Sequence, residues 1–232
     1  ILEVPPERTP ASLAVGIAVH KAVELALERR LEGLETPTPE ESKSIVESVF
    51  STLDPPIATT AKEEGADCDV AVRCAAKIVE AIPTLITGEI LAIEDTLDGK
   101  PWADLPPISG RVDLVTRTPE GFRVIDFKTS RARWSPLDVS LQAGQLLLYK
   151  SIAQGAYGEK KADISLEFIT VTKAQKPVVE SHQVTVTDAS AERLHEQFSQ
   201  VWKGINSGVF PPRPDRQCVT CQFRSRCPHA AM

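Results

Sequence analysis

Residues 108–117 and 122–128 alternate between apolar and polar side chains, and the tripeptide Pro119-Glu120-Gly121 separates them. Alternation over a short run is the period of a β-strand, and a Pro/Gly tripeptide is turn chemistry. The two runs therefore predict a β-hairpin. A helical pattern follows directly, over about Leu137–Gln154. A hairpin that passes straight into a helix must bury one sheet face beneath that helix, so the chain is constrained to a layered fold.

The flanking segments agree with layers. Ser12 is placed to cap a helix reaching about Leu31, with Leu13, Ile17, Val23, Leu27 and Leu31 near the helical period. Pro39-Glu40-Glu41 reads as a second helix start, and Pro55-Pro56 as its end. A third helix is expected over about 66–82. Segment 89–97 is a strand candidate, as are 163–172 and 177–186. Asp188 or Ser190 is expected to cap a last helix to about Ile205. The order is helices, three strands, helix, two strands, helix, which predicts a mixed α/β fold. We expect one domain, with a helical part over 1–87, a core over 88–207 and a Cys-rich tail over 208–232.

The 232 residues, 42% of them hydrophobic, suffice for one large domain. No apolar run reaches the roughly 18 residues that span a bilayer, and no secretory segment opens the chain. The expectation is a cytoplasmic protein without membrane attachment. The chain begins at Ile1 rather than Met, so a missing N-terminal segment is expected. A net charge of −6 argues against a protein that merely coats DNA. The charge is unevenly spread. Residues 1–100 hold 9 basic and 19 acidic residues, whereas 101–232 hold 17 basic and 13 acidic. A locally basic half is enough to meet a phosphate backbone that must later be released.

Asp126 and Lys128 lie two apart on a predicted strand and share a face, with Ile125 and Phe127 on the other. If the hairpin strands pair, Asp113 approaches Asp126. Two carboxylates about 4 Å apart repel by roughly 4 kcal/mol at an effective dielectric near 20. Such a pair calls for a cation, and oxygen ligands select Mg²⁺ or Mn²⁺. Phosphodiester hydrolysis uses this set: a metal that polarises a phosphoryl oxygen, and a lysine that meets the developing charge. Taken alone, Asp-x-Lys is more often a pair of solvated surface charges.

The company of these residues changes that. Gly110-Arg111-Val112-Asp113, Asp126-Phe127-Lys128-Thr129 and Gln145-x-x-x-Tyr149 follow Gly16-x-x-x-His20 in the chain. Together they resemble the RecB-type branch of the PD-(D/E)xK nuclease superfamily, over roughly residues 10–150 and the terminal cysteines. The resemblance implies a restriction-endonuclease-like mixed β-sheet flanked by helices. It implies that His20, Asp113 and Asp126, with the Phe127 carbonyl, hold the metal. Lys128 would be the catalytic lysine, and Gln145 and Tyr149 would support the site and touch the DNA strand. Gln142 shares their helix face and could take the place of Gln145. Val112 departs from the proline of the superfamily name. The implied activity is a metal-dependent deoxyribonuclease, acting on ends or single strands in DNA repair, recombination or phage/CRISPR processing. A helicase or other nuclease-complex subunit is an implied partner. The rival expectation is an inactive relative that only binds DNA or a partner. By itself, His20 would more often be a packing histidine.

Cys218, Cys221 and Cys227 form C-x₂-C-x₅-C. Three thiolates this close can hold Zn²⁺ or an iron–sulfur cluster. The family resemblance implies three ligands of a [4Fe–4S] cluster, with a fourth cysteine upstream of the early helix. No cysteine precedes His20. Cys68 and Cys74 cannot chelate together from one helix, since six residues turn it about 240°. His229 is the zinc alternative. Such a cluster would hold Arg213, Arg216, Arg224 and Arg226 beside the DNA path, with Arg131 and Arg133 as further DNA contacts.

Overall fold

The structure is a computed structural model that describes residues 6, 8–57, 61–156, 163–212, 218, 221 and 223–229. Helices α1 (Ala11–Leu31), α2 (Pro39–Thr52) and α3 (Ala61–Leu85) precede strands β1 (Glu89–Gly99), β2 (Ile108–Thr118) and β3 (Gly121–Ser130). Helix α4 (Pro136–Ala156), strands β4 (Asp163–Thr172) and β5 (Val179–Gln183) and helix α5 (Asp188–Asn206) follow. Each predicted element is present, usually one to a few residues longer. The exceptions are α3, which starts five residues earlier than expected, and β5, which is shorter.

The five strands lie in sequence order. β1, β2 and β3 run antiparallel, β3 pairs β4 in parallel, and β4 pairs β5 antiparallel. The parallel step exists because α4 carries the chain back across the sheet, the crossover that a parallel pair needs. Gly121 makes the hairpin turn with φ 149°, and a Cβ there would stand 2.1 Å from Asp163 O, so only glycine fits between β3 and β4.

Two cores sandwich the sheet. On one face, α1, α2 and α3 pack against Leu114, Ile125, Phe127, Ile169 and Val171. On the other, Leu146, Tyr149 and Ile152 of α4 pack with Leu194 of α5 against Val112, Val124, Leu166 and Phe168. This sandwich follows from alternation within β3, where Ile125 and Phe127 go to one core and Phe122 and Val124 to the other.

Three expectations need correction. The buried face of α1 consists of Ala14, Val15, Ala18, Val19, Ala22, Val23, Ala26 and Leu27. Leu13, Ile17 and Leu31 are 48%, 40% and 62% exposed, because small residues let α1 lie close to its neighbours and turn its bulky ones outward. Ser12 does not cap α1; Pro10 is the residue before the first turn and makes no side-chain cap bond. Helix α5 is capped by Thr187, not Asp188 or Ser190; Ser190 completes a reciprocal capping box. Thr38 and Glu41 form the same device at α2, with Pro39 in the first turn. Among the described residues, no helix is long and apolar enough to cross a membrane.

Candidate active site

β2 and β3 pair from Thr118/Gly121 up to Leu114/Ile125, and there the ladder stops. The next residues along the same register are Asp113 and Asp126. Where the strands part, Asp113 replaces the missing partner: its Oδ2 accepts the Phe127 backbone N–H at 2.7 Å. The alternation of β2 also slips here. Leu114 belongs to the α1–α3 core, yet Val112 belongs to the α4 core. The slip is matched on β1, where Ile93 pairs Leu114 and Asp95 pairs Val112. Between those pairs stands Glu94, with φ 45°. Both strands thus aim a carboxylate into the gap.

His20 enters the gap from α1. Its Nε2 lies 2.9 Å from Phe127 O, and its Nδ1 lies 3.2 Å from Glu94 Oε1 and 3.7 Å from Asp113 Oδ2. One ligand atom from each of His20, Glu94 and Asp113 falls within 4.8 Å of the others. This is the metal-sized group among the described residues, and Glu94 is the member that sequence reasoning missed. The signal for it was an acidic residue on the strand before Gly110-x-x-Asp113, but Asp95 and Asp98 offered the same signal. Only the backbone slip distinguishes Glu94.

Asp126 is 1% exposed, and its Oδ1 has no partner among the described residues. It lies outside the His20/Glu94/Asp113 group and forms an ion pair with Lys128, Nζ to Oδ2 at 2.6 Å. Lys128 Nζ also donates to Gln145 Oε1 at 3.0 Å, and Gln145 Nε2 donates to Tyr149 Oη at 2.7 Å. Lysine, glutamine and tyrosine therefore form one strut from α4 to the acidic gap. Gln145 fills this place, and Gln142 is exposed to solvent. Gly110 makes room for the strut, since a Cβ there would approach Tyr149 Cε1 at 3.0 Å.

The electrostatics follow from burial. Asp113 is pushed up to about 7, first by burial and then by the charge of Asp126. Burial also raises Asp126, against the pull of Lys128. For His20 burial opposes the charged ring, but Glu94, Asp113 and Asp126 outweigh it and the pKa rises. Burial works against ionised Glu94 too, yet hydrogen bonds from His20 and Arg111 hold its pKa below the ordinary value. A buried carboxylate with one oxygen unpartnered, beside a second one whose pKa is raised, is an electrostatic deficit that a hard divalent cation would relieve. The donor set of one imidazole and several carboxylates fits Mg²⁺ or Mn²⁺.

The other candidates lie apart. Arg131 is exposed, and Arg133 is committed to Glu180 at 2.5 and 2.9 Å. Arg224 and Arg226 sit on an exposed 3₁₀ turn, where Arg224 donates to Cys218 O at 3.5 Å. Arg213 and Arg216 lie outside the described residues. Cys218, Cys221 and Cys227 form no second metal-sized group among the described residues. Cys221 Sγ accepts the Phe223 N–H at 3.5 Å. Cys74 is fully buried in the α1–α3 core, and Cys68 packs against it. Both act as small apolar packers. His182 and His195 serve other sites, bonding Thr170 and Asp104 respectively.

Comparison with known proteins agrees with this geometry. A profile of the PD-(D/E)XK nuclease superfamily matches residues 1–228, and the chain belongs to that superfamily. Its mixed sheet flanked by helices is the restriction-endonuclease-like fold. A presumed exonuclease from Eubacterium rectale shares the fold, with a TM-score of 0.55 and 17% identity over 95% of this chain and 76% of its own. SSO0001 aligns over 99% of this chain and 90% of its own at 15% identity, with a TM-score of 0.41, a likeness too loose to carry an argument. No curated protein sequence matches significantly.

Proposed function

We propose that this chain is a Mg²⁺- or Mn²⁺-dependent deoxyribonuclease that hydrolyses phosphodiester bonds at DNA ends or in single strands. The observation that carries the reading is Asp126, a buried carboxylate with one oxygen unpartnered and the other held by Lys128, set beside Asp113 at the fork of β2 and β3. His20, Glu94 and Asp113 would hold the cation, with Asp126 and the Phe127 carbonyl completing its surroundings. Bound there, the cation would polarise a phosphoryl oxygen and acidify water. Lys128 carries its proton at Nζ within reach of the same carboxylates and offsets negative charge gathering on the phosphate. Gln145 fixes Lys128, and Tyr149 fixes Gln145, so the ammonium is held in place before substrate arrives.

The exonuclease name of the Eubacterium rectale protein favours action on ends. The placement we favour is DNA repair, recombination or phage/CRISPR processing, with a helicase or nuclease-complex subunit as the partner of such an enzyme. We also propose one nuclease domain over 1–232 with Cys218, Cys221 and Cys227 as ligands of a [4Fe–4S] cluster, Zn²⁺ being the alternative. The N–H bond to Cys221 Sγ is of the kind that supports a thiolate ligand. Iron and zinc analysis of anaerobically purified protein decides between them. The nuclease reading is tested with end-labelled single- and double-stranded DNA. Cleavage should require Mg²⁺ or Mn²⁺, stop with EDTA, and be absent in Asp126→Asn. A folded, Mn²⁺-binding protein that binds DNA without cutting it would instead support the inactive relative.

A further inference from the structure

We propose that Arg111 is the phosphate clamp of this site, freed to grip the DNA strand when a divalent cation neutralises Glu94. The proposal rests on the nuclease reading above and names one strand contact of that same site.

Arg111 stands on β2, two residues before Asp113, with 63% of its side chain exposed. Its Nε lies 2.9 Å from Glu94 Oε2. Among the described residues, its two terminal nitrogens make no hydrogen bond. A guanidinium that serves structure uses its fork. Arg29 does so, donating through both terminal nitrogens to both oxygens of Glu41 at 3.1 and 2.7 Å. Arg111 makes its closest contact through Nε, and its terminal nitrogens keep hydrogen-bonding capacity for a phosphate. With Arg111 largely exposed, the ion pair contributes little to stability.

What the open fork faces is a groove of about 440 Å³ that includes His20 and Glu94 and runs along α1. Lys21 also lines it, paired to Glu24 at 2.7 Å on the same wall. Gly16 also lines it, and a Cβ there would meet nothing within 4 Å, so the groove lies open at that point. Leu13 and Ile17, which α1 packing turns outward, line the same groove. A guanidinium beside apolar surface suits one nucleotide, with phosphate at Arg111 and sugar or base against Ile17 and Leu13. The groove includes two of the three candidate metal ligands, His20 and Glu94, so the phosphate held by Arg111 would neighbour the scissile one.

The contact with Glu94 makes the grip conditional. Glu94 is only 16% exposed and faces both His20 and Arg111. A divalent ion shared by His20, Glu94 and Asp113 would satisfy the Glu94 charge. The pull on Arg111 then weakens, and its guanidinium becomes available to the strand. Metal binding and strand binding should therefore reinforce one another.

The test is fluorescence anisotropy of a labelled oligo(dT) with wild type, Arg111→Ala and Arg111→Lys, in Ca²⁺ and without it, across a salt series. Mn²⁺ affinity is measured in parallel by electron paramagnetic resonance. Arg111→Ala should flatten the slope of log affinity against log salt by about 0.7, the loss of one single-strand phosphate contact. It should also shrink the gain in DNA affinity that Ca²⁺ gives wild type, while Mn²⁺ binds at least as well as before. Arg111→Lys should keep the slope with weaker binding, because one charge remains without the fork. An unchanged salt slope in Arg111→Ala overturns the proposal. So does a fall of about tenfold or more in Mn²⁺ affinity, the signature of a residue that only positions a ligand. Wild type that binds Mn²⁺ but not the oligonucleotide overturns the clamp and leaves the metal site standing. Wild type that binds neither overturns the nuclease reading itself.

Discussion

At φ 45°, Glu94 occupies left-handed backbone that a glutamate holds only at a cost of about 1–3 kcal/mol. The surroundings that enforce it are His20, Arg111 and the opposed Asp113. Glu94→Gly should therefore fold at least as stably as wild type, while losing Mn²⁺ affinity by about 10–100-fold, the range typical when the ligand environment is disturbed. Lys128→Ala separates from it: cleavage is lost, and Mn²⁺ binding persists. Titrating both variants with Mn²⁺ and melting them checks this. If Glu94→Gly binds Mn²⁺ like wild type, Glu94 only orients His20. Asp113, Asp126 and Lys128 were legible in the sequence because strand alternation places them. Glu94 was not, because its position depends on a slip in alternation, and no pattern in Ala92-Ile93-Glu94-Asp95 marks where a strand slips.

Among the elements, the fork between β2 and β3 builds the site, and α4 braces it. Gly110 is the point where brace and strand touch. Val there would drive a side chain into the Tyr149 ring, which stands 3.0 Å from even a Cβ. Gly110→Val should cost about 1–3 kcal/mol as overpacking and lower kcat more than KM, because the Tyr149–Gln145–Lys128 strut is displaced. Unchanged kcat with an intact fold would show that the strut does not position Lys128. The hairpin, the crossover helix and the terminal helices were readable from periodicity and turn residues. The inward face of α1 was not. Alanines and valines make a weak stripe beside Leu13 and Ile17, and the decision between them rests on how closely α3 approaches.

For the whole molecule, the site is a charged gap between two apolar cores, and its protons couple to stability. His20, Asp113 and Asp126 all bind their protons more tightly in the folded chain, Asp113 with a pKa of about 7. Stability from such groups is complete below their unfolded-chain values and is lost as pH rises through the folded ones, near 7 for Asp113. Glu94, whose pKa is lowered, acts in the opposite sense but only at acid pH, outside this window. A divalent cation binds the deprotonated ligands, so its affinity rises with pH over the same range. The central claim is that this gap is a divalent-metal site, and the most direct measurement is the melting temperature of wild type and Asp113→Asn from pH 6 to 8, with and without Mn²⁺. The expected result is a wild-type melting point that falls with pH in EDTA, a Mn²⁺ increment that grows with pH, and in Asp113→Asn a shallower fall and no Mn²⁺ increment. A Mn²⁺ increment that is absent, or that stays the same at every pH and in Asp113→Asn, would contradict the claim.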